Sequence, residues 1–147
     1  TADILVKSSN LKGIILNKNL VANMIDEMPV FFIAAALSEG ITIVKDAKEL
    51  RTKESDRLQA MADALSSFGI KHDLEEDGIK IYGLGPKGVL KSTNISSYGD
   101  HRIAMASAIA SLRSENKVKV FDCVNVNTSY PNFIDTCKEI GIEIEQL

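Results

Sequence analysis

The chain has 147 residues, 45% of them hydrophobic and 25% charged, with a net charge of −3. That length holds one core of ordinary size, and the balance is that of a soluble globular protein rather than a disordered one. The basic residues are dispersed and outnumbered by acidic ones, which argues against a nucleic-acid partner.

Alternating apolar residues predict strands at 3–8 and 11–16. A helix at about 27–39 follows, ended by Gly40, then a strand at 41–46. An amphipathic helix carries Leu58, Met61, Ala62, Leu65 and Phe68 on one face and runs to Gly69. Strands at 70–75 and 79–82 flank an Asp77-Gly78 turn. A loop at 83–88 leads to a strand near 88–93. After it come a helix at about 101–113, a strand at 117–122, a helix from Pro131 to about 140 and a last strand at 142–146.

"FFIAAALSEGITIVKD" with a helix ending "FGIKHDL" parallels "IAMASAIASLRSENKVKVFD" with a helix ending "IGIEIEQ". The chain therefore reads as two β-α-β-α-β(β) units, at about 3–83 and 88–147. The second lacks the closing strand of the first, so its sheet needs a strand from elsewhere. Segments 30–39 and 103–112 are apolar nearly all round and are expected to be buried on every side. Segments 55–68 and 131–140 are expected at the surface.

Cys123 and Cys137 form no CxxC and have no histidine at ligand spacing. No metal site is expected, and a reducing compartment is, although the two could pair. With the polar start Thr1-Ala2-Asp3 no signal peptide is expected, and the longest apolar run, Pro29 to Leu37, is too short to span a bilayer. The expected location is the cytoplasm, with no membrane partner.

Three helix starts carry unusual charge. "LRTKESDRL" places Lys53, Glu54 and Arg57 where free backbone N–H groups and the helix dipole favour anions. Lys53 and Arg57, four apart on a helix, would share a face and hold a phosphate or carboxylate, with Glu54 beside them to move a proton. "SYGDHRIAMA" reads as an Asp100 cap followed by His101 and Arg102 opening an apolar helix. "MIDEMPVFF" puts Asp26 just before another such helix, with Pro29 in its first turn. Each segment alone also reads as caps and local ion pairs. Together they describe a mixed acid, base and cationic pocket for a small polyanion. "NTSYPNF" reads as a further helix start, capped by Thr128 or Ser129.

"IDEMP", "LRTKESDRL" and "YGDHRIAMA", in that order and spacing, resemble the C-terminal part of the enolpyruvylshikimate-phosphate synthases over essentially the whole chain. The resemblance implies an inside-out α/β barrel of the enolpyruvyl transferase type. The chain would hold about two of one domain's three βαβαββ units, and the partner domain would be absent. It implies transfer of the enolpyruvyl group of phosphoenolpyruvate to the 5-hydroxyl of shikimate 3-phosphate, on the route to chorismate, in an enzyme that is the glyphosate target. No cofactor is implied, and the full-length enzyme is expected to be a monomer.

By resemblance, Asp26 contacts the shikimate hydroxyls and accepts a proton, and Lys53 lies near the target hydroxyl. Glu54 transfers a proton at the phosphoenolpyruvate methylene. Arg57 and Arg102 clamp phosphoenolpyruvate, with His101 beside them. Where some members carry a lysine, this chain has Thr128. The rest of the family's phosphate and shikimate contacts belong to segments absent here, so the chain alone is expected to be inactive. The alternatives are the sister transferases acting on UDP-N-acetylglucosamine, which typically lack these motifs, and a non-catalytic anion-binding module.

Overall fold

The structure is a computed structural model and describes residues 1–147. Strands β1 (Glu39–Val44), β2 (His72–Leu74) and β3 (Ile79–Leu84) form an antiparallel sheet in the order β1-β3-β2. Glu39 lies opposite Leu84 and Val44 opposite Ile79, while Leu74 shares Ile79 from the other side. The expected hairpin is closed by the Glu75 N–H donating to the Gly78 carbonyl at 2.9 Å. Strand periodicity drives Ile79 and Ile81 into the core and leaves Lys80 and Tyr82 on the outer face.

Residues 11–16 run parallel along the other edge of β1. The Gly13 and Leu16 N–H groups donate to the Glu39 and Ile43 carbonyls, and the Glu39 and Ile43 N–H groups donate to the Leu11 and Ile14 carbonyls. Gly13 is required there by space, because a Cβ would lie 2.3 Å from the Ile41 carbonyl oxygen. A parallel pair needs a crossover, and it is made by α1 (Lys18–Val21), a short 3-10 turn at 22–24 and α2 (Met28–Ala36).

A 3-10 turn at 48–52 precedes α3 (Arg57–Ser67). Strand β4 (Asn94–Ser96), α4 (His101–Ala110) and β5 (Lys119–Phe121) then make a parallel βαβ unit, Ile95 opposite Val120. The chain continues through α5 (Val126–Ser129) and α6 (Phe133–Glu139). Helix α2 packs on α4, α3 and β3. Met28, Phe32, Leu58, Met61, Leu65, Phe68, Ile79, Ile81 and Ile103 meet between the helices and the first sheet.

Several expectations fail for identifiable reasons. Residues 3–8 form no strand, and Ile4, Leu5 and Val6 are exposed. A strand needs an edge to pair with, and the free edge of β1 is already taken by 11–16. The strand sought at 88–93 forms at 94–96, with only Leu90 bridged earlier, to Ser114. Residues 142–146 carry no ladder, although Ile142 is buried. Helices α2 and α4 are not buried all round: Val30 is 47% exposed, and Met105 and Ile109 are partly so. Apolarity on every side does not say which side these 147 residues cover.

Candidate active site at three helix starts

Helix α3 begins later than the charge pattern predicts. Asp56 is its cap, accepting from the Gln59 N–H at 3.0 Å, and its other oxygen takes Arg51 Nη1 at 2.8 Å. Lys53 and Glu54 therefore lie before the helix, not in its first turn. Lys53 and Arg57 do not share a helical face: Lys53 reaches back to Glu49, 2.5 Å away, in the 3-10 turn. Arg57, the first helical residue, turns inward and is 1% exposed.

The buried guanidinium collects a carboxylate from each of three segments. Its Nε donates to Asp100 Oδ2 at 2.8 Å, Nη1 to Asp26 Oδ1 at 2.9 Å and Nη2 to Glu54 Oε2 at 2.5 Å. Asp26 is no cap, since Glu27 stands at the cap position of α2. Its second oxygen lies 3.1 Å from Arg102 Nη2, and its backbone carbonyl accepts from Arg102 Nη1 at 3.1 Å. The starts of α2, α3 and α4 thus share one end of the molecule, linked through Arg57.

A tight turn delivers the third start. Tyr98 (φ 53°) and Gly99 (φ 73°) both adopt left-handed backbone, and the Asp100 N–H closes the turn onto the Ser97 carbonyl at 2.9 Å. The Asn125 side chain holds the Gly99 carbonyl at 2.6 Å. Asp100 then caps α4 through the Arg102 N–H at 2.9 Å. His101 is half-buried on the first turn beside Arg102.

The cluster sets two cations, Arg57 and Arg102, against three carboxylates, Asp26, Glu54 and Asp100, with Lys53 nearby but paired to Glu49. The hydrogen bond from Arg57 holds the Asp26 carboxyl below the usual carboxylate range; partial burial opposes this, and the charges of Arg102, Arg57 and Lys53 add to it. Burial disfavours the Arg57 charge, but its bonds to Asp100 and Asp26 and the nearby Asp100 and Glu54 charges outweigh that and raise its pKa. A guanidinium buried this deeply persists only because every nitrogen is paired.

A cleft of about 170 Å³ opens beside the cluster, lined by Asp26, Pro29, Val30, Arg102, Met105 and Ile109. A larger one of about 1270 Å³ lies between β5, α6 and residues 141–147, and none of the six candidate residues lines it. Asp26 and Arg102 of the cluster line the small cleft and none of it lines the larger, so the candidate site is the small one. Sequence reasoning missed Ser55, whose Oγ donates to Asp100 Oδ2 at 3.1 Å, and gave Asp100 only a capping role. Thr128 and Ser129 cap nothing: both lie in α5, and α6 begins after Pro131 with Asn132 at its cap position, without a side-chain bond.

A family profile described as EPSP synthase (3-phosphoshikimate 1-carboxyvinyltransferase) matches residues 1–137. The 3-phosphoshikimate 1-carboxyvinyltransferase of Ruthia magnifica subsp. Calyptogena magnifica is 52% identical over 145 residues, covering 97% of this chain and 32% of the relative. That of Coxiella burnetii (strain RSA 331 / Henzerling II) is 44% identical over 145 residues, covering 99% and 32%. A solved EPSP synthase structure from Acinetobacter baumannii superposes with a TM-score of 0.92 at 41% identity, covering 95% of this chain and 33% of that one. The chain spans about a third of the length of the relatives it matches, and its architecture is that of their inside-out α/β barrel. Fold, motifs and relatives agree: this chain belongs to the EPSP synthase family.

Proposed function

We propose that the chain forms part of a cytoplasmic, monomeric enzyme that moves the enolpyruvyl group of phosphoenolpyruvate onto the 5-hydroxyl of shikimate 3-phosphate. The single observation that carries this reading is the convergence of Asp26, Glu54, Arg57 and Arg102 at three helix starts. The reaction asks for that set. The hydroxyl oxygen bonds to C2 of phosphoenolpyruvate while the C3 methylene gains a proton, giving a tetrahedral adduct. Loss of a C3 proton and of the phosphate from C2 then restores the double bond in the product. One carboxylate must take the hydroxyl proton, another group must serve C3, and cations must hold an anionic substrate throughout.

Asp26 takes the hydroxyl proton, and Lys53 holds the acceptor near it. Glu54, with His101 on the first turn of α4, serves C3. Arg57 and Arg102 hold the phosphate and carboxylate of phosphoenolpyruvate. Asp26 and Glu54 already occupy the two Arg57 Nη nitrogens, so the anion must replace them there. That exchange frees two carboxylates for proton transfer as the substrate binds. The contacts that grip shikimate 3-phosphate elsewhere come from outside these 147 residues, so the chain alone has no turnover.

The test is phosphate release by a full-length enzyme containing this chain. With phosphoenolpyruvate and shikimate 3-phosphate, stoichiometric phosphate and enolpyruvyl product are expected, and none with the isolated chain. Product from UDP-N-acetylglucosamine instead would transfer the assignment to the sister reaction. A folded full-length protein that binds phosphoenolpyruvate and converts neither acceptor would leave an anion-binding module.

A further inference from the structure

The Asp100 carboxylate is wholly buried and serves two helices at once. Oδ1 accepts from the Arg102 N–H at 2.9 Å and, more weakly, from the Ile103 N–H at 3.5 Å. Oδ2 accepts from Arg57 Nε at 2.8 Å and Ser55 Oγ at 3.1 Å. A cap needs only one oxygen, and Ser, Thr or Asn provides it as well. The second oxygen, out of water, is turned to the guanidinium of α3. The nitrogen it takes matters. A guanidinium held at Nε presents Nη1 and Nη2 in a fixed plane. Those two nitrogens carry Asp26 and Glu54, whose side chains are 47% and 49% exposed, against 0% for Asp100. One partner is enclosed; the other two are half exposed, Asp26 on the wall of the small cleft, and can be exchanged.

We infer that Asp100 is a positioning residue: it anchors Arg57 at Nε and α4 at its first turn, so that the Arg57 fork and Arg102 face one anion. The inference rests on the reading that this site takes phosphoenolpyruvate. Anchored at Nε, the fork can pass from Asp26 and Glu54 to an incoming carboxylate or phosphate without the arginine leaving its place. Without the anchor the guanidinium follows whichever carboxylate holds it, and the anion meets a disordered fork.

The test uses a full-length enzyme containing this chain, with phosphoenolpyruvate as the probe. Asp100→Asn and Asp100→Ser keep a capping oxygen and remove the charge. The KM for phosphoenolpyruvate is expected to rise about ten-fold or more in both, the scale of one charge-assisted bond, with kcat and the KM for shikimate 3-phosphate changing far less. In an Arg57→Lys background, which has no fork to orient, Asp100→Asn should add almost nothing. An unchanged KM, a loss shared equally by both substrates, or effects that multiply in the double variant would overturn the inference. Should neither variant fold, the wild-type Arg57 Nε–H resonance decides: it should stay protected from exchange when phosphoenolpyruvate binds, and losing that protection contradicts the anchor. A folded wild type that does not bind phosphoenolpyruvate overturns the functional reading itself, a result that the Asp100 variants alone cannot produce.

Discussion

Arg57 ties stability to the proposed chemistry, because its buried guanidinium holds three carboxylates. Removing one partner of a buried ion pair costs more than the pair is worth, because the survivor stays buried and charged. Arg57→Ala leaves Asp100 in that position and is expected to lower stability by about 3–5 kcal/mol in chemical denaturation of the chain. Arg57→Lys should cost less, since one ammonium can still reach Asp100. Asp26 sets a pH limit of a different kind. Its folded pKa lies below the ordinary 3.8, so its contribution is present above that value and is lost as pH falls through the lowered one. Acid unfolding followed by circular dichroism should therefore be shallower in Asp26→Asn below that value, and superimposable acid limbs would contradict the Arg57–Asp26 link. The residue types at this site were legible in the sequence, but their partners were not. Asp100 read as a cap because capping is local, while its bond to Arg57 spans 43 positions and depends on the fold.

Among the elements, those with strong local signals formed as read. Helix α3 ends where Gly69 takes φ 80°, the amphipathic stripe packs inward, and the Asp77-Gly78 hairpin closes. The misplaced start of α3 has a local cause: Asp56 outcompetes the earlier residues as a cap, and Thr52 Oγ1 closes the preceding 3-10 turn onto the Glu49 carbonyl. Strands were less legible, because 3–8 and 11–16 have similar patterns and only one edge of β1 is free. Gly13 marks the segment that takes it. Gly13→Ala would push a methyl into the Ile41 backbone and is expected to cost about 1–3 kcal/mol by overpacking. Amide hydrogen exchange should then rise at Leu16 and Ile43, which donate across that pairing; unchanged protection there would show that residues 11–16 do not depend on the close approach.

At the scale of the whole molecule, the first half closes a four-segment sheet, while the second stops at β4, α4 and β5 with α6 beside them. The repeats in the sequence predict a second half without a closing strand, but they also predict a strand at 142–146 that does not form. They did not predict which faces of α2 and α4 would stay open, because burial there depends on neighbours beyond local pattern. The shared end of α2, α3 and α4 nonetheless lies within these residues, and it makes the central claim testable by separating two roles. In the proposed reaction Asp26 acts on the acceptor and its proton, whereas Arg102 acts on the anion. In a full-length enzyme containing this chain, Asp26→Ala should lower kcat far more than it weakens phosphoenolpyruvate binding. Arg102→Ala should weaken that binding by roughly ten- to a hundred-fold, the loss of a charge-assisted contact of about 1.5–3 kcal/mol. Steady-state kinetics with direct titration of both variants is the most direct measurement. The account predicts that division of effects; an Asp26→Ala enzyme with wild-type turnover, or an Arg102→Ala enzyme with wild-type affinity for phosphoenolpyruvate, would contradict it.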